Sequence, residues 1–105
     1  MNMIVLVTAQ NSSQAKRIGQ ALLEAHVIAC VNIVPGVQSL FWWQGKVDSS
    51  KEVLMVMKTQ KRCFNKIVTI VKRLHSYQTP EIVALPIVLG ERAYMQWLEA
   101  SCSSR

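Results

Sequence analysis

Two long extended segments that meet at Gln44-Gly45 constrain the fold of this chain more than any other feature. Val37–Trp43 and Lys46–Lys58 have strand-like patterns, and Gln-Gly is a weaker form of the Asn-Gly pair that closes two-residue hairpins. The resulting hairpin is longer than the helices of a 105-residue chain can cover. A long uncovered hairpin is a liability for a monomer, so we expect association with another copy of the chain.

The segments before the hairpin alternate between strand and helix patterns. Met3–Ala9 is a short β-branched run that suits a strand buried on both faces. Apolar residues then recur at helical spacing, and either Asn11 or Ser12 can cap this first helix. Val27–Val34 returns to strand character. We expect a bulge or bend at Pro35-Gly36.

The segments after the hairpin predict a helix, a strand and a short helix. Thr59 is the expected cap of the second helix. Pro86 places the strand Ile82–Val88 at a sheet edge, because proline cannot donate to a ladder. The short helix follows Gly90, and Ser101–Arg105 is expected to be a frayed tail.

This element order, β-α-β-β-α-β followed by a helix, is that of the ferredoxin-like plan of the α+β class. The first crossover is expected to be right-handed. Both helices would cover one face of an antiparallel sheet and leave the other face open. The chain length fits one domain, residues 1–105.

Basic residues outnumber acidic ones by twelve to six, which gives a net charge of +6. Half of the basic residues lie in one sixteen-residue window, Lys58–Arg73. Such a patch can attract nucleic acid or an acidic ligand. The solvated face of one helix is the favoured interpretation of this patch.

Cysteine spacing and hydropathy predict a cytoplasmic protein without a membrane span. Cys30, Cys63 and Cys102 are widely spaced and form no disulfide framework or Cys-x-x-Cys pair. The longest apolar runs, such as Ile82–Leu89, are far shorter than the roughly 20 residues that a transmembrane helix needs. We expect no signal-like leader after Met1.

The loop His75–Glu81 concentrates polar chemistry between a helix pattern and a strand pattern. It carries an imidazole, hydroxyls, a phenol, an amide and a carboxylate. Loops hold functional groups accessible on a rigid scaffold, and Pro80 further restricts the chain here. We therefore expect this loop to help build any site that the protein has.

Five ordered motifs along the chain resemble those of the CutA family, the divalent-cation tolerance proteins. The resemblance covers nearly the whole chain, and the order and spacing of the motifs make it specific. The motifs are Ala29–Gly36, Ser39–Lys46, Glu52–Thr59, His75–Pro86 and Tyr94–Leu98.

The resemblance implies a homotrimer of ferredoxin-like subunits, similar in architecture to the PII signalling proteins. The family is associated with tolerance to copper and other divalent metals, and some members bind copper. No enzymatic reaction is established for it, so we expect this chain not to be an enzyme.

The resemblance also implies a metal site, from which this chain departs. In some bacterial members of the family, copper binding is attributed to one cysteine and two adjacent histidines. The corresponding positions here are Val7, Leu74 and His75, and Ser76 replaces the usual proline. We expect His75 to bind copper or another divalent cation weakly, with added ligands at a subunit boundary. A hydrogen-bonding role in the loop is the alternative for this imidazole.

Two further groups of residues are candidates for binding. Tyr77, Thr79 and Glu81 are expected to form a small-molecule pocket, or else a polar loop that positions the edge strand. The aromatic residues near the hairpin turn suit a subunit interface better than a cofactor site. These are Phe41, Trp42 and Trp43. The alternative function is a PII-like, small-molecule-binding or signalling trimer without a physiological metal.

Two other uses of the same fold are disfavoured by the residues present. Sheet-based RNA binding stacks bases on aromatic residues of the central strands, and Met3–Ala9 and Glu52–Met57 contain none. An acylphosphatase-like hydrolase needs an arginine in a glycine-containing phosphate loop, and Gln10–Ser13 has neither. We expect no nucleic-acid or membrane partner.

Overall fold

The computed structural model describes residues 1–102 as a four-stranded antiparallel sheet with three α-helices. This confirms the mixed α+β class. The elements in chain order are β1 (Asn2–Ala9), α1 (Ser12–Glu24), β2 (Cys30–Trp43), β3 (Lys46–Gln60), a 3-10 turn (Lys61–Cys63), α2 (Phe64–Leu74), β4 (Ile82–Pro86) and α3 (Arg92–Ser101).

The strands lie in the order β2-β3-β1-β4, so β2 and β4 form the two edges of the sheet. All three strand pairs are antiparallel. Pro86 is the last residue of the edge strand β4 and pairs with Met3 of β1. This confirms the edge position that its missing N–H predicts. The sheet therefore has one long edge, along β2, and one short edge, along β4.

The long hairpin predicted from the sequence is present. β2 and β3 pair from Cys30 opposite Lys58 to Trp43 opposite Lys46. Gln44 and Gly45 have φ of 50° and 80°, which is the conformation of a two-residue type I′ turn. The register shifts between Val34 and Val37, so the predicted bulge at Pro35-Gly36 is also confirmed.

One face of the sheet packs against α1 and α2. Val5, Val7 and Ala9 alternate along β1 and are fully buried, together with Ile18 of α1 and Ile67 of α2. Gly19 allows close helix–sheet packing, because a Cβ at this position would lie 3.0 Å from Val31 Cγ1. The hydrophobic core therefore lies between the two helices and this face.

The opposite face of the sheet is apolar and largely uncovered. Leu6 and Val56 pair on this face and are only half-buried, so the prediction that β1 is buried on both faces is wrong for a single chain. Val34, Val83 and Leu85 share this face and are 44–48% exposed. We call this surface the open face.

Helix α3 lies across the end of the sheet. The Asn2 side-chain amide donates to Glu99 Oε2 at 3.3 Å, and the Tyr94 hydroxyl lies 3.7 Å from Cys30 Sγ. Leu98 and Cys102 are fully buried. The helix therefore covers only the end of the sheet that holds the start of β1.

Both ends of α1 are satisfied by local hydrogen bonds. The Asn11 side chain accepts from Gln14 N at 2.8 Å, which confirms Asn11 as the N-cap. At the other end, His26 N donates to Leu23 O and Val27 N donates to Leu22 O. This is a Schellman motif, and it places His26 at φ 57°.

Three boundaries differ from those predicted. Thr59 does not cap a helix; its hydroxyl donates to Val27 O at 2.5 Å, and the 3-10 turn intervenes before α2. The second strand begins at Cys30 rather than Val27, because Val27 completes the Schellman motif. The last strand ends at Pro86 rather than Val88.

The predicted frayed tail is wrong in part. Ser101 is the last residue of α3, and the Cys102 side chain is buried. The remaining three positions of that tail, 103–105, lie outside the described residues.

The Schellman motif gives a first prediction. The left-handed conformation of His26 costs an L-residue about 1–2 kcal/mol and glycine almost nothing. His26→Gly is expected to stabilise the protein by about 1 kcal/mol in urea unfolding at a fixed protein concentration. His26→Ala is the control, because it removes the imidazole but keeps the Cβ. Equal stability of the glycine and alanine variants would contradict this account.

Candidate functional site

The loop after α2 begins with a sharp change of direction at His75. The backbone of His75 is extended (φ −81°, ψ 144°), and its N–H donates to Val71 O at 2.8 Å. The Leu74 carbonyl accepts from the Arg17 guanidinium at 3.3 Å. Helix α1 thereby helps to fix the end of α2, and the His75 side chain turns toward β1.

Both ring nitrogens of His75 are engaged in hydrogen bonds. Nε2 lies 2.7 Å from the Thr8 carbonyl oxygen, and because a carbonyl can only accept, Nε2 carries the proton. Nδ1 accepts from Tyr77 N at 3.0 Å. The imidazole thus joins the end of β1 to the loop, and it is only 9% exposed.

Tyr77 connects the loop to the hairpin. Its ring contacts the His75 imidazole, with centroids 4.6 Å apart, and its hydroxyl donates to Glu52 Oε2 at 2.8 Å. Burial raises the pKa of Tyr77 above its usual value of 10.0, and the hydrogen bond and negative charge of Glu52 raise this pKa further. We call the three residues His75, Tyr77 and Glu52 the polar cluster.

Glu52 places the polar cluster at the border of the open face. Thr8 and Leu54 are paired, so their side chains share the open face, and alternation along β3 puts Glu52 on the same side as Leu54. The Glu52 side chain is nevertheless buried. The cluster therefore lies where the open face meets the loop.

A second set of hydrogen bonds ties the loop to the turn between β1 and α1. The Ser76 hydroxyl donates to Gln10 Oε1 at 3.2 Å, and Gln10 N donates to Gln14 Oε1 at 3.1 Å. The Gln14 side chain is itself buried. These contacts fix the position of the loop relative to both the sheet and α1.

The structure brings only one of the three predicted pocket residues into the polar cluster. Tyr77 belongs to it, whereas Thr79 and Glu81 are exposed. The prediction of a small-molecule pocket at these residues therefore stays a prediction. Gln10 and the Thr8 carbonyl were not predicted as part of the site, because their proximity to the loop depends on the pairing of distant segments.

The donor set for tight metal binding is not assembled in residues 1–102. Over this range no group of three or more His, Cys, Asp or Glu side chains is arranged to hold a metal ion. Val7 is fully buried on the helix-covered face, and neither Val7 nor Leu74 offers a donor atom. His75 as a metal ligand stays a prediction, and coordination would require one of its two hydrogen bonds to break.

The aromatic residues at the hairpin tip are strongly exposed in the single chain. Trp42 and Trp43 are 76% and 59% exposed, and Phe41 is also exposed. A shallow cleft of about 350 Å³ lies beside Trp43 and is bordered by Lys46 and Val47. Apolar exposure on this scale is typical of an interaction surface.

The chain is similar to the proteins of one family over nearly its whole length. The family of CutA1 divalent ion tolerance proteins matches residues 3–101. The divalent-cation tolerance protein CutA of Thermus thermophilus is 47% identical over 98 residues, which cover 93% of this chain and 95% of that protein. The chloroplastic protein CutA 1 of Oryza sativa is 39% identical over 100 residues, and the chain spans 56% of its length.

A solved structure of a protein with a similar name also resembles this chain in fold. The structure of the periplasmic divalent cation tolerance protein CutA from Archaeoglobus fulgidus has a TM-score of 0.95 and 38% identity. The match covers 98% of this chain and 100% of that one.

The polar cluster predicts an unusual alkaline titration of Tyr77. In a Tyr94→Phe background Tyr77 is the only tyrosine, and absorbance at 295 nm is expected to report a midpoint above 10. Glu52→Gln removes the negative charge but not the burial, so the midpoint should fall only part of the way. A midpoint near 10 that Glu52→Gln leaves unchanged would contradict the Tyr77–Glu52 contact.

The same contact predicts a change in stability at high pH. Because the folded protein holds the Tyr77 proton more tightly than the unfolded chain, this stabilisation is complete below pH 10 and is lost as pH rises through the raised pKa. Tyr77→Phe should therefore reduce the loss of stability between pH 9 and pH 11. Thermal melts across this range test the prediction, and comparison of Tyr77→Phe/Tyr94→Phe with Tyr94→Phe alone removes the contribution of Tyr94, whose pKa is also raised. An identical loss in wild type and Tyr77→Phe would count against it.

Proposed function

Because the chain belongs to the CutA1 family of divalent ion tolerance proteins, we propose that it acts in the response to divalent metal ions as a ferredoxin-like homotrimer. The observation that carries this proposal is the family match over residues 3–101. The order β2-β3-β1-β4, with two helices on one face, supports the ferredoxin-like topology.

The open face and the sheet edges support self-association. The open face exposes Val34, Val83 and Leu85, and burying them against another subunit is favourable. The edges along β2 and β4 differ in length and sequence, so pairing one with the other would be head-to-tail. Head-to-tail contacts close into rings when the rotation allows. The subunit number of three comes from the family resemblance.

In this proposal Phe41, Trp42 and Trp43 form part of the subunit interface. At the hairpin tip these three side chains are 39–76% exposed within residues 1–102. A neighbouring subunit that covers the tip would bury the exposed rings. Aromatic residues are enriched at such interfaces.

The proposed metal contact is weak and centres on His75. A divalent cation such as copper would have to displace the Thr8 carbonyl or the Tyr77 N–H from the imidazole. Glu52 is the acidic residue of the polar cluster, but its carboxylate already accepts a hydrogen bond from the Tyr77 hydroxyl. We therefore propose a binding role with modest affinity and no catalytic step, in which the metal is a transient ligand.

A small-molecule-binding trimer of the PII type, without a physiological metal, is the second candidate function. It is favoured by the hydrogen bonds that occupy both nitrogens of His75 and by the position of Glu52 at the border of the open face. In this case Tyr77, Thr79 and Glu81 would line a pocket completed by a neighbouring subunit. Native mass spectrometry of the protein from its own cell distinguishes the two functions by the ligand that it retains.

The cytoplasm is the proposed location, on the basis of the thiols. Cys63 and Cys102 are buried and free, and Cys30 is free and half-buried. Free thiols are the rule in reducing compartments. The archaeal relative is described as periplasmic and the rice relative as chloroplastic, so location differs among relatives.

None of the helices within residues 1–102 has the length and hydrophobicity that crossing a membrane requires.

The trimer proposal predicts the mass of the assembly and the effect of a substitution at the hairpin tip. Sedimentation equilibrium at micromolar concentration should give about three times the 11.8 kDa chain mass. Trp43→Asp would place a charge in an apolar interface, so it should lower both the mass and the melting temperature. Gln20→Asp, an equal change of charge on the exposed surface of α1, is the control. A monomeric wild type would rule out the trimer.

The metal proposal predicts weak copper binding that depends on His75. Titration calorimetry should give a weak affinity for Cu²⁺ in wild type, no binding in His75→Ala, and lower affinity at acidic pH, because only neutral imidazole coordinates. Adding the family's ligands as Val7→Cys and Leu74→His should tighten binding.

Val7 is fully buried, so circular dichroism must first show that the double variant is folded. Tight wild-type binding that survives His75→Ala would place the metal site elsewhere.

A further inference from the structure

The outer part of the hairpin is a two-stranded ribbon. The strand β1 ends at Ala9, which pairs with Val53, so within residues 1–102 the segment 46–52 of β3 pairs with β2 alone. A two-stranded ribbon is only marginally stable by itself. The ribbon formed by residues 37–52 therefore calls for a further contact.

One side of this ribbon carries an exposed apolar patch. Trp42 pairs with Val47, and alternation along β3 puts Val47 on the same side as Val53. Val53 is buried and pairs with the fully buried Ala9, so this is the side that the helices cover elsewhere in the sheet. Leu40 lies on it as well, because it is two residues from Trp42. We call Leu40, Trp42 and Val47, which are 63–77% exposed, the outer patch.

Phe41 and Trp43 lie on the opposite side of the ribbon. Their partners Asp48 and Lys46 alternate in step with Glu52, and Glu52 is on the side of the open face. Packing of open faces against one another can therefore cover Phe41 and Trp43, but it leaves the outer patch exposed. The outer patch calls for a partner of its own.

A groove of about 330 Å³ lies on the helix side of the sheet beside β4. Ala84 of β4 pairs with the fully buried Val5, so its small side chain faces this side and leaves space next to the start of α2. Pockets that hold ligands have volumes of about 300–1,000 Å³, so this groove has room for one large side chain. It is lined by Met3, Val5, Phe64 and Ala84 and bordered by the exposed Lys61 and Asn65.

We propose that the groove holds the Trp42 indole of a second copy of the chain, with β2 of that copy paired to the free edge of β4. The inference rests on the homotrimer proposed above and names the side-chain contact that selects this pairing. An extended segment that joins a sheet edge gains affinity from main-chain hydrogen bonds and specificity from pockets for its alternate side chains. The groove beside β4 is such a pocket.

The strand directions put the outer patch on the required side. All strand pairs in the sheet are antiparallel, so the edge strands β2 and β4 run in opposite directions. When β2 of a second copy joins β4 in the same antiparallel manner, the helices of both copies lie on one side of the continuous sheet. The outer patch then lies on the same side as the groove, on a strand about 4.8 Å from β4.

The polar residues at the groove favour tryptophan over an aliphatic side chain. A buried indole N–H usually finds an acceptor, and the Asn65 side chain offers an amide oxygen. The Lys61 ammonium is suited to the electron-rich face of the ring. Leu40 and Val47 have no group that uses these partners, so Trp42 is the member of the outer patch that fits the groove.

Photocrosslinking of the purified protein tests this contact. p-Benzoylphenylalanine in place of Trp42 keeps a large aromatic side chain and attaches to nearby C–H groups on irradiation. A denaturing gel should show a band at the mass of two chains, and mass spectrometry should map the attachment to residues 61–65 or 84 of the second chain. The matched control carries the same side chain in place of Trp43, and it should attach to residues of the open face instead.

Dilution of the trimer measures the strength of the contact. Trp42→Ala should raise the concentration at which half of the trimer dissociates by at least about tenfold, and Trp42→Phe should raise it less because the ring is kept. Ala84→Phe fills the groove from within its own chain and should act like Trp42→Ala. Gln38→Ala, an exposed polar position on the same side of the ribbon, is the control and should have little effect.

The outcomes separate this contact from the trimer itself. A trimer in which the crosslinks from position 42 map away from residues 61–65 and 84, or do not form, would overturn the groove assignment and leave the trimer intact. Equal effects of Trp42→Ala and Gln38→Ala on dissociation would also overturn it. A monomeric wild type in sedimentation equilibrium would overturn both the groove contact and the trimer.

Discussion

The antiparallel register that joins β1, β3 and β2 is the constraint on which the rest of the structure depends. The left-handed turn at Gln44-Gly45 aligns the hairpin, and β1 then pairs along β3 from Asn2 opposite Gln60 to Ala9 opposite Val53. Because side chains alternate along a strand, a shift of one residue would exchange the two faces of the sheet. The register thus decides which residues meet the helices and which form the open face.

The same register positions the polar cluster. It brings the end of β1, where Thr8 offers its carbonyl, beside the part of β3 that carries Glu52. His75 and Tyr77 then connect these two strands through the loop. The cluster is a structural link first, since it fixes the loop, and any ligand that uses it must compete with these hydrogen bonds. This competition adds to the missing donor atoms at Val7 and Leu74 as a reason for expecting weak metal binding.

Local patterns in the sequence predicted the elements that depend on local chemistry. Asn11 caps α1, Gly36 marks the bulge and Pro86 lies at the edge, because each conformation follows from the residue itself. Thr59 was misassigned because a cap and a strand-end hydroxyl look alike in sequence. Its actual partner, the Val27 carbonyl, is 32 positions away.

The candidate site was less predictable because it depends on contacts between segments that are distant in the sequence. The loop was identified from its polar composition, but the bonds of His75 to Thr8 and of Tyr77 to Glu52 join segments that are 67 and 25 positions apart. No periodicity in the sequence reports such a juxtaposition. The ligand roles proposed for Thr79 and Glu81 would depend in turn on surfaces supplied by a neighbouring subunit.

Hydrogen–deuterium exchange tests most directly the central claim that the open face and the two sheet edges are completed by other copies of the chain. Within residues 1–102, alternate N–H groups along the outer sides of β2 and β4 have no strand partner. We predict that these amides are protected at micromolar concentration and lose protection on dilution. Rapid, concentration-independent exchange along both edges would contradict the claim.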